Sequence, residues 1–424
     1  MSVHEIVYVH GRRVWDSRGR PTLEAEVMLA GGAVGRAMAP AGVATGPGEA
    51  HDLRDGGENF GGRDVGRALA SINGEIAARL IGNDGADQAA VDRMLNDLDG
   101  TPDTSRLGAN ATIAVSMAAA HAAAAEAGVP LYRHLGGDEA GLLPLPLIQI
   151  FGVPGRALDV QDFMVVCPAA ANVAEALDIT AEVYRAAGEL LQERGSAAGV
   201  TDEGGWLATF DSHEQALDTL VAAIERAGFD PGTEVGIALD IDASGFGGAG
   251  NYRFAGAELS SDALIETLAG WVARFPILSL EDPLAADDQA GFATITALLG
   301  DQVQIVGDVL LVSDAARITA AAAQRSVTCG ILKPNQRGTL TETLAAWRAL
   351  QAAGLRGIVS ARSGETEDTT IVHLAVGWGV GQLKIGGMAR GERTAKWNEA
   401  LRIEEALGPK GRFAGGADLP RPRR

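Results

Sequence analysis

Apolar and polar side chains alternate between residues 4 and 40. The runs are Ile6-Val7-Tyr8-Val9, Thr22-Leu23-Glu24-Ala25-Glu26-Val27-Met28 and Ala33-Val34-Gly35-Arg36-Ala37-Met38. Glycine or charged turn residues bound each run, so the pattern predicts an antiparallel meander. From about 63 to 127 the period becomes helical, through Val65, Leu69, Ile72, Ile76 and Leu80 and then an alanine-rich run over 111–127. Strands followed by helices predict an α+β module over residues 1–135.

Beyond Pro144 short apolar runs recur, at 145–150, 163–167, 235–240, 277–281, 303–308, 327–333, 357–360 and 382–385. Helical stretches such as 172–192, 213–227, 262–273, 313–323 and 340–353 separate most of them. Eight apolar strands with intervening helices predict a (β/α)8 TIM barrel over 136–424. The first two runs lie too close together for a helix between them. They should form a hairpin, which makes the barrel irregular at its start.

The residues that close these runs carry the chemistry. Asp240 follows Val235-Gly236-Ile237-Ala238-Leu239, Glu281 follows Ile277-Leu278-Ser279-Leu280, and Asp308 follows Val303-Gln304-Ile305-Val306-Gly307. Lys333 follows Gly330-Ile331-Leu332, and Lys384 sits in Gly381-Gln382-Leu383-Lys384. C-terminal strand ends of a barrel meet at one mouth, where active sites sit. Acidic residues there could instead cap the helices that follow. Three on successive strands would repel one another unless a divalent cation joined them, and hard oxygen ligands suit Mg²⁺. A lysine beside such a cation is expected to have a depressed pKa, as a general base requires. The implied chemistry is removal of a proton next to a carboxylate, with the metal stabilising the enolate.

Composition narrows the alternatives. The 424 residues are 46% hydrophobic and 21% charged, which excludes a disordered or fibrous chain. With 55 acidic and 35 basic residues the formal charge is −20, so nucleic acid is not an expected partner despite the basic tail Arg421, Arg423 and Arg424. Cys167 and Cys329 are too few for a disulfide framework and are expected to be buried thiols. The N-terminus has no secretory pattern, and the 111–127 run, carrying His121 and Glu126, is too weak to span a membrane. A soluble, cytoplasmic chain with no membrane partner is expected.

At these residues the sequence resembles the enolase family, over nearly its whole length. Asp16-Ser17-Arg18-Gly19 with Pro21-Thr22, Asp202-Glu203-Gly204-Gly205, Ser279-Leu280-Glu281-Asp282-Pro283, Ser363-Gly364-Glu365-Thr366-Glu367-Asp368 and Leu401-Arg402-Ile403-Glu404-Glu405 look like enolase motifs in order. The resemblance implies an enolase-like fold, an α+β N-terminal domain before an irregular barrel. It implies Asp240, Glu281 and Asp308 as Mg²⁺ ligands and Lys333 as the base. Lys384 would face the substrate carboxylate, and Glu203 would help the β-hydroxyl leave, with Gln161 nearby and Asp162 among the catalytic acids. Arg362 and Ser363 would hold the phosphate. It also implies a homodimer or a dimer-based octamer.

Departures from the family cluster at one end of the substrate. In the loop Pro40-Ala41-Gly42-Val43-Ala44-Thr45-Gly46, Ala44 replaces a metal-ligating serine. Val153, in Gly152-Val153-Pro154-Gly155, and Ala361, before Arg362, each replace a histidine. Asp162 shortens a glutamate by one methylene. The proton-abstraction residues remain. The expected substrate is therefore a 2-phosphoglycerate-like carboxylate, phosphorylated or phosphonylated, altered at the phosphate end. The carboxyphosphonoenolpyruvate synthases of phosphonate natural-product biosynthesis are the leading specific candidate. An ordinary glycolytic enolase and a non-catalytic enolase-like binding protein are the alternatives.

Overall fold

A computed structural model describes residues 2–42, 46–152 and 158–420. The N-terminal alternation forms the expected meander. Strands Ile6–Trp15, Pro21–Leu29 and Val34–Met38 pair antiparallel in sequence order. Their apolar faces pack with the helix Ala109–Glu126, and Leu23, Val27, Ile113 and Val115 share one core there. That helix is buried almost throughout, which explains its alanine content: small side chains let neighbouring backbones approach on every side. Among the described residues no single helix is long and apolar enough to cross a membrane.

All eight barrel strands form: Leu145–Gly152, Asp162–Val166, Gly236–Asp240, Ile277–Glu281, Gln304–Gly307, Cys329–Leu332, Arg356–Ser360 and Gln382–Gly387. The last pairs in parallel with the first, Gln382 opposite Leu145, and closes the ring. The first two form the expected hairpin, Leu147 opposite Val166, and the second also runs antiparallel to the third, Asp162 opposite Asp240. The irregularity has a consequence for the site. It brings the start of the second strand, rather than its end, to the mouth beside Asp240.

The strands are buried on both faces, as apolar runs without alternation require. Leu147, Met164, Ala238, Val306, Cys329, Ile331 and Ile358 form a cluster of their own. Gln304 and Gln382 exchange amide hydrogen bonds at 2.8 and 3.1 Å, satisfying each other in the buried interior. Both cysteines are buried and free.

The helices Val173–Glu193, His213–Arg226, Ser261–Arg274, Ala315–Ala323 and Leu340–Ala352 fall where the periodicity places them, and Gln289–Leu299, Thr370–Trp378 and Gly391–Leu407 are also present. Asn172, Ser212, Ser260, Asp288, Asp314 and Thr339 cap six of them, each side chain accepting from a first-turn N–H. Asp240, Glu281 and Asp308 are therefore not spent on helix caps.

The meander side docks on the barrel mouth through backbone. Ser17 N donates to Glu365 O at 2.7 Å, and Ala41 and Gly364 exchange bonds at 2.8 and 2.9 Å. Met38 N donates to Asp368 Oδ2 at 2.8 Å. These contacts set the loops carrying Arg18 and Gly42 over the strand ends.

Candidate functional site

A cavity of about 510 Å³ opens at the C-terminal end of the barrel strands. Lys333, Glu203, Lys384, Asp162, Gln161, Arg362, Ser363, Asp240 and Asp308 all line it. Glu281 stays out of the lining and bonds to Lys384. The residues chosen from sequence thus come together, although they span more than two hundred positions.

Lys384 Nζ lies 2.6 Å from Asp240 Oδ2 and 2.7 Å from Glu281 Oε2. Lys333 Nζ bonds to Asp308 Oδ2. Burial opposes the charged form of both lysines, but the facing carboxylates outweigh it. Asp308 raises Lys333 above its ordinary value, and Asp240 and Glu281 hold Lys384 well above. This corrects the expectation of depressed lysine pKa values: as the side chains stand, each ammonium faces carboxylates, not a cation.

The acids outnumber these partners. Burial and the nearby Asp240 push Glu281 well above the carboxylate range, and burial with Asp308 does the same to Asp282. Glu281 Oε1 is buried with no hydrogen-bond partner. Among the described residues no three carboxylate, imidazole or thiolate side chains converge closely enough to grip an ion as they stand. The donor set nonetheless fits a divalent cation. Asp240, Glu281 and Asp308 offer hard oxygens on adjacent strands, one is orphaned, and the excess negative charge calls for compensation that two lysines do not complete.

Glu203 arrives on a different device. Strands Ala197–Val200 and Trp206–Ala208 form a hairpin added to the end of the first barrel strand, and the turn between them carries Asp202 and Glu203. Gly387 N donates to Glu203 O at 2.6 Å. A Cβ at Gly386 or Gly387 would overlap the backbone of Glu203 and Gly204, so this approach requires glycine just past Lys384. Burial would raise the Glu203 pKa, but Arg393, Lys384 and the Ser363 hydroxyl hold it below the ordinary value. Asp162 goes the other way: burial and the charge of Glu203 push it up to about 8, with Gln149 bonded to it. The two acids therefore hold one proton between them at neutral pH. Gln161, exposed to the cavity, is anchored by its N–H to Asp240 O at 2.9 Å.

At the far wall Arg362 Nη1 donates to Glu49 Oε2 at 2.9 Å and to Asn335 Oδ1 at 3.2 Å. Ala361 is buried beside it and presents only a methyl group. Ala44, Val153 and Gly155 lie outside the described residues, as does the tail 421–424.

Sequence reasoning missed several residues that build this wall. Glu49 sits in a loop, and Asn335 and Gln336 in a single 3-10 turn, Pro334–Gln336, too short to show a period. Arg393, fully buried, donates to Arg362 O, Ile385 O and Ser363 O at 2.9, 2.8 and 2.7 Å. Lys396 pairs with Glu365 at 2.9 Å. Two cations on one buried helix face were the available signal, since a core helix rarely carries them without partners.

Known proteins resemble the chain throughout. Residues 6–135 match the family described as "Enolase, N-terminal domain", and residues 141–420 match "Enolase, C-terminal TIM barrel domain". The chain is 46% identical over 418 residues to the protein named "Enolase" of Tropheryma whipplei (strain Twist), covering 97% of this chain and 98% of that protein.

Proposed function

The chain belongs to the enolase family, carbon–oxygen lyases, and from that premise we propose that it dehydrates 2-phosphoglycerate to phosphoenolpyruvate with Mg²⁺ as cofactor. The observation that carries this reading is the pairing of two lysines, Lys384 buried and Lys333 largely so, with strand-end carboxylates in one cavity that also holds Arg362.

Asp240, Glu281 and Asp308 would hold the metal. When bound, Mg²⁺ supplies positive charge against which an enediolate can develop. With Asp308 engaged by a cation, Lys333 would lose the partner that keeps it charged, and the neutral amine a base needs would become accessible. Lys333 takes the proton from the carbon bearing the phosphate, and its Nζ carries that proton. Lys384 offers its ammonium to the substrate carboxylate. The single proton that Asp162 and Glu203 share, resting on Asp162, passes by way of Glu203 to the departing β-hydroxyl, which leaves as water. Arg362 and Ser363 hold the phosphate, and Gln161 lines the hydroxyl side.

Similarity to a protein named Enolase favours this reaction over carboxyphosphonoenolpyruvate synthesis. The second reading stands on Ala361. A methyl group beside the phosphate arginine leaves room for a larger phosphorus-containing group. A non-catalytic binding protein has no use for two lysines held against acids. Family membership further supports a cytoplasmic homo-oligomer, a homodimer or a dimer-based octamer, acting on a small phosphorylated carboxylate.

Steady-state turnover of 2-phosphoglycerate with Mg²⁺ tests the proposal. A kcat/KM above about 10⁴ M⁻¹s⁻¹, the usual floor for an enzyme on its own substrate, is expected. Metal-dependent α-proton exchange without dehydration would overturn it in favour of the altered substrate.

A further inference from the structure

The carboxylate end and the phosphate end of the cavity are joined by a buried chain of side chains. Gln336 Nε2 donates to Asp308 Oδ1 at 3.2 Å and to Glu49 Oε1 at 3.4 Å. Glu49 Oε2 accepts from Arg362 Nη1 at 2.9 Å. The Gln336 carbonyl oxygen is held by Ser313 Oγ at 2.5 Å, and Ser313 Oγ in turn accepts from Lys333 N at 2.9 Å. Glu49 Oε1 also takes the Gly46 N–H at 2.8 Å, and Ala50 N donates to Gln336 O at 2.8 Å. Gln336 is 1% exposed, and the Glu49 and Arg362 side chains are 6% and 5% exposed.

We infer that Glu49 and Gln336 are positioning residues that couple the state of Asp308 to the placement of the Arg362 guanidinium. The inference rests on the proposed roles of those two residues. The physical argument is saturation. A buried amide has two N–H donors and one oxygen, and here the oxygen is fixed by Ser313. With that oxygen fixed, the planar amide can follow Asp308 only by pivoting about it, and the NH₂ group that swings also holds Glu49. A shift of Asp308 toward a cation loosens or tightens Glu49, which decides how firmly Arg362 is held away from an incoming anion. Glu49 also neutralises Arg362 while no phosphate is present, so the arginine is not left as a lone buried charge. Gly42 completes the geometry, because a Cβ there would overlap the guanidinium.

The test uses the full chain with Glu49→Gln, Gln336→Ala and the double variant. Calorimetry measures inorganic phosphate affinity with and without Mg²⁺, and 2-phosphoglycerate turnover is measured alongside. In the wild type Mg²⁺ should change phosphate affinity by about 5-fold or more. Each single variant should bring that factor near unity, lower kcat by about 10- to 100-fold, and move KM by less than about 3-fold. The double variant should be no worse than the poorer single, because both break one chain. A merely structural role predicts instead a lowered unfolding temperature with the Mg²⁺–phosphate coupling intact, and that result overturns the inference. So do additive losses in the double variant. Should Gln336→Ala fail to fold, Gln336→Asn, which keeps the amide but shortens its reach, carries the same expectation. A wild type that binds Mg²⁺ and phosphate with coupling yet leaves 2-phosphoglycerate untouched defeats the proposed function without touching this inference.

Discussion

Lys384 Nζ stands 2.6 Å from Asp240 Oδ2, and this bond ties the last strand of the barrel to the third. The same ammonium reaches Glu281 at 2.7 Å. One side chain thus screens two carboxylates that would otherwise repel each other in a buried site. Any cation entering between the acids competes with the lysine for the same oxygens, so metal and lysine are linked thermodynamically.

Removing the lysine charge exposes that linkage. Lys384→Met should destabilise the chain by about 3 kcal/mol without divalent cation, the usual cost of stranding buried charges. Adding Mg²⁺ should recover most of the loss. Urea unfolding with EDTA and with Mg²⁺ measures both. An equal destabilisation under the two conditions would show that Lys384 and the metal do not share partners.

The proposed metal ligands make a complementary prediction. Glu281→Gln removes one hard anionic oxygen and keeps the shape, so the variant should fold. Its unfolding temperature should no longer rise with Mg²⁺, whereas the wild type should gain about 2.7 kcal/mol at a hundredfold excess over Kd. Differential scanning calorimetry across a Mg²⁺ titration reads this directly.

Lys333 is assigned a single proton. Lys333→Ala should abolish exchange of the substrate α-proton with D₂O, followed by NMR, while Mg²⁺ stabilisation survives. Exchange at a near wild-type rate would place the base elsewhere, with Lys384 the first residue to test.

These residues were legible because strand ends are legible. An apolar run closed by Asp, Glu or Lys locates a side chain at a barrel mouth before any contact is known, and Asp240, Glu281, Asp308 and Lys333 arrived that way, whereas Lys384 lies within its strand, Gln382–Gly387. The hairpin at the start of the barrel followed from loop length alone. Glu49 and Gln336 were not legible. Their partners, Arg362 and Asp308, lie 313 and 28 positions away, and no period links a loop residue to a barrel residue. The sign of the lysine pKa shifts was also out of reach, because it depends on which charge stands nearest. Sequence placed the groups at one mouth without ordering them.

A hydrogen-bonded carboxylate outside the cavity lining predicts an acid limb in stability. His373 Nε2 lies 3.2 Å from Glu399 Oε1, and that hydrogen bond, with Arg402, holds the Glu399 pKa down to about 2 from an ordinary 4.5. A depressed carboxylate pKa gives stability that is complete above the unfolded value and is lost as pH falls through the folded one. The pair's contribution should therefore fade between about pH 4.5 and 2. Glu399→Gln should flatten that part of the stability curve and leave neutral-pH turnover unchanged, as chemical unfolding at a series of pH values would report.

Gly42 offers a test of the phosphate role proposed for Arg362. Gly42→Ala places a methyl group where the Arg362 guanidinium now lies. The arginine must move, and misplacement by about 1 Å costs on the order of 100-fold in rate. Unfolding temperature should change little, since the loop lies at the mouth and carries little of the core. Unchanged kcat/KM on 2-phosphoglycerate would mean that Arg362 is not the phosphate ligand.

The remaining prediction weighs the two substrate readings at one residue. Ala361 is buried beside Arg362, and its side chain can neither donate a hydrogen bond nor carry charge. Ala361→His would add a ring donor in a cavity large enough to take it. A charge-assisted hydrogen bond to phosphate contributes about 1.5–3 kcal/mol, so 2-phosphoglycerate KM should fall by about 10- to 100-fold. For a larger phosphorus-containing substrate the imidazole would fill the space that group needs, and its turnover should collapse instead. Competition kinetics with 2-phosphoglycerate and a carboxylated phosphonate analogue separate the outcomes. If the substitution improves the small substrate and the wild type discriminates poorly against it, the ordinary dehydration stands with a weakened phosphate grip. If the wild type prefers the analogue and Ala361→His reverses that preference, Ala361 is the specificity determinant and the altered-substrate reading takes its place.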